Sequence, residues 1–527
     1  MPRPPRVSSF VTAAEAVAQI EDGASIAILG CGGGNGEPAA LIEALADRFE
    51  ETGHPRDLTL IHSAGLGDRS GLGLAPLARE GLVKRAIGGH WGQTPQMSEM
   101  AAREQIEAYN LPLGVMYQLH REIGGGRPGL LTKTGLGTFA DPRLEGGRMN
   151  ETTVEELVEL FEIDGEEYLF YKAYPVDYAF VRGHAADRRG NVTMYGEAAF
   201  LDCLALALAA RAGGGKAIVQ VKEVLAEGER VDSTRVKVPG VVADAIVADA
   251  AQMQTYESED DPVYAGRTRR NLVEIPMELG ARKVIARRAA QFLRPEAVVA
   301  VGVGMPDGIG SVLGEEGVED RVTFTMETGL IGGVAAPGIL FGAAMNFEAM
   351  LDSADVIDFY NGGGLDFAAL GFAQLDRLGN ANVSKYNGIV MGSGGFVDIS
   401  QSARHLILCG TFTAAGLATT VADGRLRIDR EGKVQKLMER VEQVTYSGPE
   451  AARAGNAMHV VTERAVFELR PDGLTLIEIA PGVDLERDVI GQMGFEPAVD
   501  AELRPMDARL FAAEPVGVFA DAPAKPD

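Results

Sequence analysis

The chain has 527 residues, 46% hydrophobic and 24% charged, the balance of an ordinary globular protein. That length suggests two large domains or about three smaller ones, with a core that needs no disulfide or metal staple. The formal charge of −26, without a basic footprint, excludes nucleic acid as an expected partner.

From the N-terminus, Met1 to Phe10 holds two arginines and three prolines but no apolar run, so no secretory signal is expected. Ser25 to Leu29 reads as a buried strand that runs into a glycine-rich turn, Gly30 to Gly36. Pro38 then suits the first turn of a helical pattern from Ala39 to Phe49, and Leu58 to Ile61 reads as a second strand. The most apolar stretch, Leu201 to Ala210, contains Asp202 and is far short of the ~20 residues of a bilayer span. No membrane association is expected. Cys31, Cys203 and Cys409 lie far apart and read as small buried hydrophobes in a reducing, cytoplasmic compartment. Neither they nor the seven histidines show metal-ligand spacing, so no metal site is expected.

The chain repeats itself once. Asp177-Tyr178-Ala179 followed by Asp187-Arg188-Arg189-Gly190-Asn191 returns as Asp366-Phe367-Ala368 followed by Asp376-Arg377-Leu378-Gly379-Asn380. Ala297 to Val301, running into Gly302-Val303-Gly304-Met305-Pro306, matches the first strand and turn, and Val322 to Thr325 matches the second strand. These upstream pieces sit at a larger offset, which a long insertion between Gly92 and Tyr174 explains. Strand, glycine turn, helix and strand in alternation predict an α/β fold of two related domains with mainly parallel sheets. The expected limits are 1–255 and 271–520, joined by an acidic, proline-containing linker at 256–270 and followed by a flexible tail at 521–527.

Glycine is over-represented, at 66 residues, and clusters at Gly30 to Gly36, Gly302 to Gly304, Gly362 to Gly364 and Gly392 to Gly395. Such turns let backbone N–H groups face anionic or carbonyl oxygens. No clean dinucleotide fingerprint, Gly-Lys-Ser/Thr loop or Gly-x-Ser-x-Gly elbow is present, and Ser63 lacks an evident His/Asp context. Superposing the two halves places Ser63 opposite Glu327. A carboxylate at the C-terminal end of a parallel strand, which the sister copy does without, is a functional candidate. His90 and Trp91, the only tryptophan, suit a cleft wall and simple packing equally.

The segments Gly135 to Gly147, Ile163 to Lys172, Phe359 to Asp366, Asn382-Val383-Ser384 and Gly392 to Phe396 resemble family I coenzyme A transferases. The likeness is to the fused single-chain type acting between short-chain acyl-CoA and acetate or propionate, and it runs through nearly the whole chain. The resemblance makes Glu327 the catalytic glutamate, with the Gly394 and Gly395 amides as oxyanion donors and Gln96 supplying a side-chain amide nearby. Met97 departs from the keto-acid branch at the residue after Gln96, and Asn361 stands where an acid is expected. Val301, Gly302, Val303, Gly304 and Met305, with Gly364, would contact CoA, and Gly34, Asn35 and Gly36 would bound the acyl pocket. Local cations such as Arg267, Arg269 or Lys385 would meet its phosphates.

The function so implied is transfer of CoA from a short-chain acyl-CoA to a carboxylic acid through a glutamyl-CoA thioester, in ping-pong fashion. CoA would be substrate and covalent intermediate, with no tightly bound cofactor, and the enzyme a homodimer or homotetramer. Three other readings predict different behaviour. An acyl-CoA hydrolase on this scaffold needs no acceptor, a dinucleotide oxidoreductase binds nicotinamide, and a CoA or sugar-phosphate sensor survives Glu327→Ala.

Overall fold

The computed structural model describes residues 8–271, 277–520 and 522, which form two compact units. The division differs from the expected cut near residue 255. The first unit holds the chain up to Arg270 together with Met326–Asp358 and Asn387–Asp398. The second holds Asn271–Thr325, Phe359–Tyr386 and the chain from Ile399 onward. The expected linker is part of the first unit: Tyr256 donates its N–H to the Gly33 carbonyl at 2.7 Å and its hydroxyl to Glu37, and Val263 and Tyr264 are buried. Its acids do not face solvent alone, because Asp260 pairs with Arg267 and Asp261 with Arg270. Apart from Ala522, the expected tail lies outside the described residues.

In the first unit β1 (Ser9–Val11), β2 (Ser25–Ile28), β3 (Leu58–His62), β4 (Val83–Gly88), β5 (Glu107–Asn110), β6 (Tyr178–Ala186), β7 (Lys216–Val224) and β8 (Ala245–Ala248) share one sheet. Their spatial order is β1-β8-β7-β6-β2-β3-β4-β5, every neighbour parallel. A sheet covered on both faces needs near-continuous apolar strands, and Ile26-Ala27-Ile28 and Ala217-Ile218-Val219 are buried throughout. Helices α1 (Ala13–Val17), α2 (Ala39–Thr52), α3 (Pro95–Ala102), α4 (Leu113–Gly124) and α5 (Cys203–Ala212) link the strands, and α5 packs on α4, β6 and β7. Thr12 and Glu15 form a capping box at the start of α1. The region read as an insertion contains α3, β5, α4 and a separate three-stranded antiparallel sheet ordered Gly129–Thr132, Glu166–Lys172, Val158–Ile163.

The second unit repeats the plan. Its strands are β9 (Val298–Val301), β10 (Thr323–Met326), β11 (Phe367–Gly371), β12 (His405–Cys409), β13 (Ala457–Val461), β14 (Ala465–Arg470), β15 (Gly473–Ile479) and β16 (Ala498–Pro505). They run in the order β10-β9-β11-β12-β13-β14-β15-β16, parallel from β10 to β13. Thus β3-β2-β6-β7-β8 and β10-β9-β11-β12-β13 are the same path. Helices α6 (Ala281–Ala290) and α7 (Gly308–Glu315) help close a core that includes Val284, Val299, Ile309 and Ile407.

The repeated motif is structural. Asp177 accepts the N–H of Ser25 at 2.9 Å, and Asp366 accepts that of Val298 at 3.0 Å, so each ties β6 or β11 to its neighbour strand. Asp187 and Asp376 each accept the backbone N–H of the asparagine four residues on, at 3.1 Å in both copies. Those asparagines then accept from Gly240 and Gly448, both at 3.0 Å. Among the described residues no helix is long and apolar enough to cross a membrane.

Candidate active site

Glu327 directly follows β10, and the chain from Met326 to Asp358 belongs to the first unit, so this carboxylate sits among residues of the first half. It is half-buried, and no ion pair among the described residues reaches it. Burial pushes its carboxyl above the ordinary 4.5, opposed by a hydrogen bond from its own backbone N–H. Burial raises the Cys31 thiol, the Tyr117 hydroxyl and the Asp398 carboxyl, and the charge of Glu327 adds to each. These side chains therefore surround one electrostatic neighbourhood.

The Gly34-Asn35-Gly36 turn comes to the same place. Asn35 is fully buried, and its Nδ2 donates to the Phe341 carbonyl at 3.2 Å while Oδ1 has no partner. Beside this turn lies Gly342, where a Cβ would come 2.9 Å from Cys31 Sγ, 3.5 Å from Asn35 Nδ2 and 3.2 Å from Cγ2 of Thr328, the residue after Glu327. The buried Thr328 Oγ1 is also unpartnered. Buried polar atoms without partners are uncommon in folded proteins, and here they mark a place for a polar ligand.

Behind the turn, Glu37 is buried and pushed up to about 7, with the Tyr256 hydroxyl and the Arg182 charge opposing the shift. A raised acid favours the folded state most when protonated, so its contribution falls as pH rises from 4.5 to about 7. The buried His62 and the half-buried His90, both near 4, pull the opposite way, so the variant difference is the readout. Glu37→Gln should gain stability relative to the parent across that window in thermal melts, and a pH-independent difference would refute the assignment.

The Gly392–Gly395 loop lies on the Gly88–Gly92 segment. The N–H groups of Trp91 and Gly92 both donate to the Met391 carbonyl, at 2.8 and 2.9 Å. Gly392 has φ 77°, and a Cβ there would stand 2.7 Å from His90 Cα, so only glycine lets the two segments touch. Trp91 is buried and donates Nε1–H to the Gly88 carbonyl at 3.3 Å, which settles it as packing beneath the loop. Gly394 spends its N–H on the Gly89 carbonyl at 2.8 Å. Of the expected pair of oxyanion donors, Gly394 thus has its N–H engaged within the protein. The buried Gly395 N–H makes no hydrogen bond among the described residues and remains open.

Residues 10–249 match the family model for coenzyme A transferase. Acetate CoA-transferase YdiF of Escherichia coli O157:H7 is 44% identical over 520 residues, 98% of each chain. The chain belongs to the coenzyme A transferase family. Caffeate CoA-transferase of Acetobacterium woodii is 43% identical over 96% of this chain and 98% of its own. A crystal structure of the YdiF apoenzyme matches with a TM-score of 0.93, covering 98% of this chain and 99% of that one. A second YdiF structure, a thioester complex with CoA, matches at 0.92 with 43% identity and the same coverage.

In this CoA-transferase the remaining expected residues are placed as follows. Gln96 is the second residue of α3, with its amide donating to the Ser70 carbonyl and its buried Oε1 unpartnered. Val301 ends β9, and the turn from Gly302 to Met305 carries the exposed Val303 and Gly304 at the C-terminal end of a parallel strand of the second unit. Gly364 closes the irregular turn Tyr360–Gly364, where a Cβ would meet the Phe359 ring at 2.3 Å. Arg267 is paired with Asp260 and is not a free cation.

Ser63 does have a His/Asp context, contrary to expectation. Its Oγ donates to Asp202 Oδ2 at 2.9 Å, His120 Nδ1 stands 2.8 Å from the same oxygen, and His120 Nε2 is 2.8 Å from the Tyr174 hydroxyl. All four side chains are buried. His120 Nδ1 also lies 3.4 Å from Ser63 Oγ, but the shorter contacts of Ser63 and His120 both go to Asp202, so the four side chains form one buried polar network. The partners lie 57 and 139 residues from Ser63, beyond any local motif.

Proposed function

We propose that this enzyme moves CoA from a short-chain acyl-CoA to a small carboxylic acid through a thioester on Glu327. The observation that carries the reading is a desolvated carboxylate beside the Gly34–Gly36 turn, in the same unit as the open Gly395 N–H. The Glu327 carboxylate adds to the thioester carbonyl, the C–S bond breaks, and CoA thiolate leaves a mixed acyl-glutamyl anhydride. Thiolate then adds to the glutamyl carbonyl, the anhydride C–O bond breaks, and the donor acid departs. An acceptor carboxylate runs the two steps in reverse and restores the free glutamate. Electrons move only among carboxylate, thiolate and acyl groups, so CoA is substrate and intermediate.

Each addition places charge on a carbonyl oxygen, where a preset N–H such as that of Gly395 acts without reorganising. The turn Val301–Met305 and Gly364 are assigned to CoA, Gly34-Asn35-Gly36 to the acyl pocket, and Gln96 to its rim. Three free, buried cysteines suit a cytoplasmic setting, and a homodimer or homotetramer is the expected assembly.

Intact mass after incubation with acetyl-CoA or propionyl-CoA, without acceptor, tests the reading. A CoA-sized adduct on the Glu327 peptide, discharged by acetate, is expected. Free CoA release without an adduct would point to hydrolysis, and neither would refute both. Because the nucleophile must be ionised, adduct formation should rise with pH through an apparent pKa above 4.5. A rate flat from pH 4 upward would contradict the desolvated glutamate.

A further inference from the structure

The Gly392–Gly395 loop is anchored by hydrogen bonds on both sides. The Met391 carbonyl takes two N–H groups, the Ser393 carbonyl takes that of Phe396 at 3.1 Å, and Gly394 uses both its N–H and its C=O. Ser393 gives its N–H to Asn110 Oδ1 at 3.0 Å, and Asn110 Nδ2 donates to the Gly88 and Gly89 carbonyls at 2.8 and 2.7 Å. Among the described residues the N–H groups of Gly392 and Gly395 are left over, and Gly395 is the one that directly follows the anchored Gly394. A buried donor left open beside a residue anchored through both its N–H and its C=O is placed to serve a ligand oxygen.

The Gly394 carbonyl is held by the N–H of Leu113, the first residue of α4. This anchor works only if the start of α4 is itself held. Pro112, at the N-cap, offers no side-chain acceptor. Asp398, three residues beyond Gly395 and fully buried, does the capping instead: Oδ2 accepts from Gly114 at 2.9 Å and Oδ1 from Val115 at 3.1 Å. Burial pushes its carboxyl up to about 7, and the two N–H donors at the positive end of a twelve-residue helix oppose that shift. The fit is close, since a Cβ on Gly114 would come 2.6 Å from Asp398 Oδ1.

We propose that Asp398 is a positioning residue for acyl transfer, clamping the start of α4 so that Leu113 holds Gly394 and the Gly395 N–H faces the developing oxyanion. Asn110 is the second point of the same clamp. The inference rests on Glu327 being the acylated nucleophile. Asp398 touches no reacting atom in this scheme and acts through the loop.

Single-turnover formation of the CoA adduct with propionyl-CoA, followed by intact mass, tests it in the full-length enzyme. Asp398→Asn replaces one accepting oxygen by an NH2 group that faces an N–H, and should slow adduct formation on the order of 10–100-fold, below the loss from deleting an oxyanion donor outright. The half-saturating propionyl-CoA concentration should change less than about 2-fold. Gly114→Ala disturbs the same contact from the helix side and should show the same split, which covers the case of a misfolded Asp398→Asn. A parent enzyme that forms no adduct would overturn the reading of Glu327. A parent that does, with either folded variant acylating at its rate, would overturn the clamp alone. A lower rate with a comparable rise in the half-saturating concentration would likewise reduce Asp398 to a structural role.

Discussion

Glu327→Gln should lose the CoA adduct and lower kcat on the order of 10⁴-fold or more, the scale seen when a covalent nucleophile is removed. The amide is nearly isosteric but neutral, and its oxygen is too weak a nucleophile to displace CoA thiolate. The same change should not cost stability. Glu327 makes no ion pair among the described residues, and burial disfavours its charged form. Removing that charge leaves the melting temperature at pH 8 equal to or above that of the parent, as expected where activity requires a strained group. Loss of both activity and fold would mean that the carboxylate has a structural role instead. Retained turnover in the folded variant would reject the glutamyl mechanism.

Arg182→Met should produce the largest loss of stability. Arg182 lies in β6 and is 2% exposed, as is its partner Glu197, with Nη2 2.5 Å from Glu197 Oε2. Its other donors reach the carbonyls of Gly34, Glu37 and Gln254 at 3.1, 2.9 and 2.9 Å. One guanidinium thus ties the Gly34–Gly36 turn to the 254–256 segment. Removing it leaves Glu197 charged and buried beside orphaned carbonyls, a loss of about 3–5 kcal/mol. Arg182→Met with Glu197→Leu should recover part of the melting temperature, because the unpaired charge goes too. A single variant as stable as the parent would show that the pair contributes nothing. The carbonyl anchors are not restored, so the double variant should still acylate more slowly than the parent.

The two variants draw on different kinds of information. Glu327 was visible in the sequence because the repeat supplied an internal control: Ser63 at the matching position showed that the frame does not require a carboxylate there. The sheets were visible for a related reason. Buried parallel strands such as Ile26-Ala27-Ile28 and Val298-Val299-Ala300-Val301 are apolar without interruption, and a glycine turn follows each. The two aspartates of each motif were legible as a recurring pattern, and the structure explains them as strand ties and turn closures.

Local sequence therefore determined the α/β class, the internal repeat, the glycine turns and the identity of the candidate nucleophile. Each depends on neighbours a few residues apart or on comparison of the chain with itself. Tertiary structure alone decided that Met326–Asp358 and Asn387–Asp398 fold with the first half, and that the acidic 256–270 segment is packed against it. It also decided that the Gly394 amide is engaged, by spending it on Gly89. Asp398 meets Gly114 across 284 residues, and Ser393 meets Asn110 across 283. No periodicity or spacing carries such pairings, because a hydrogen bond needs only proximity in the folded chain, and burial is what makes that partner obligatory.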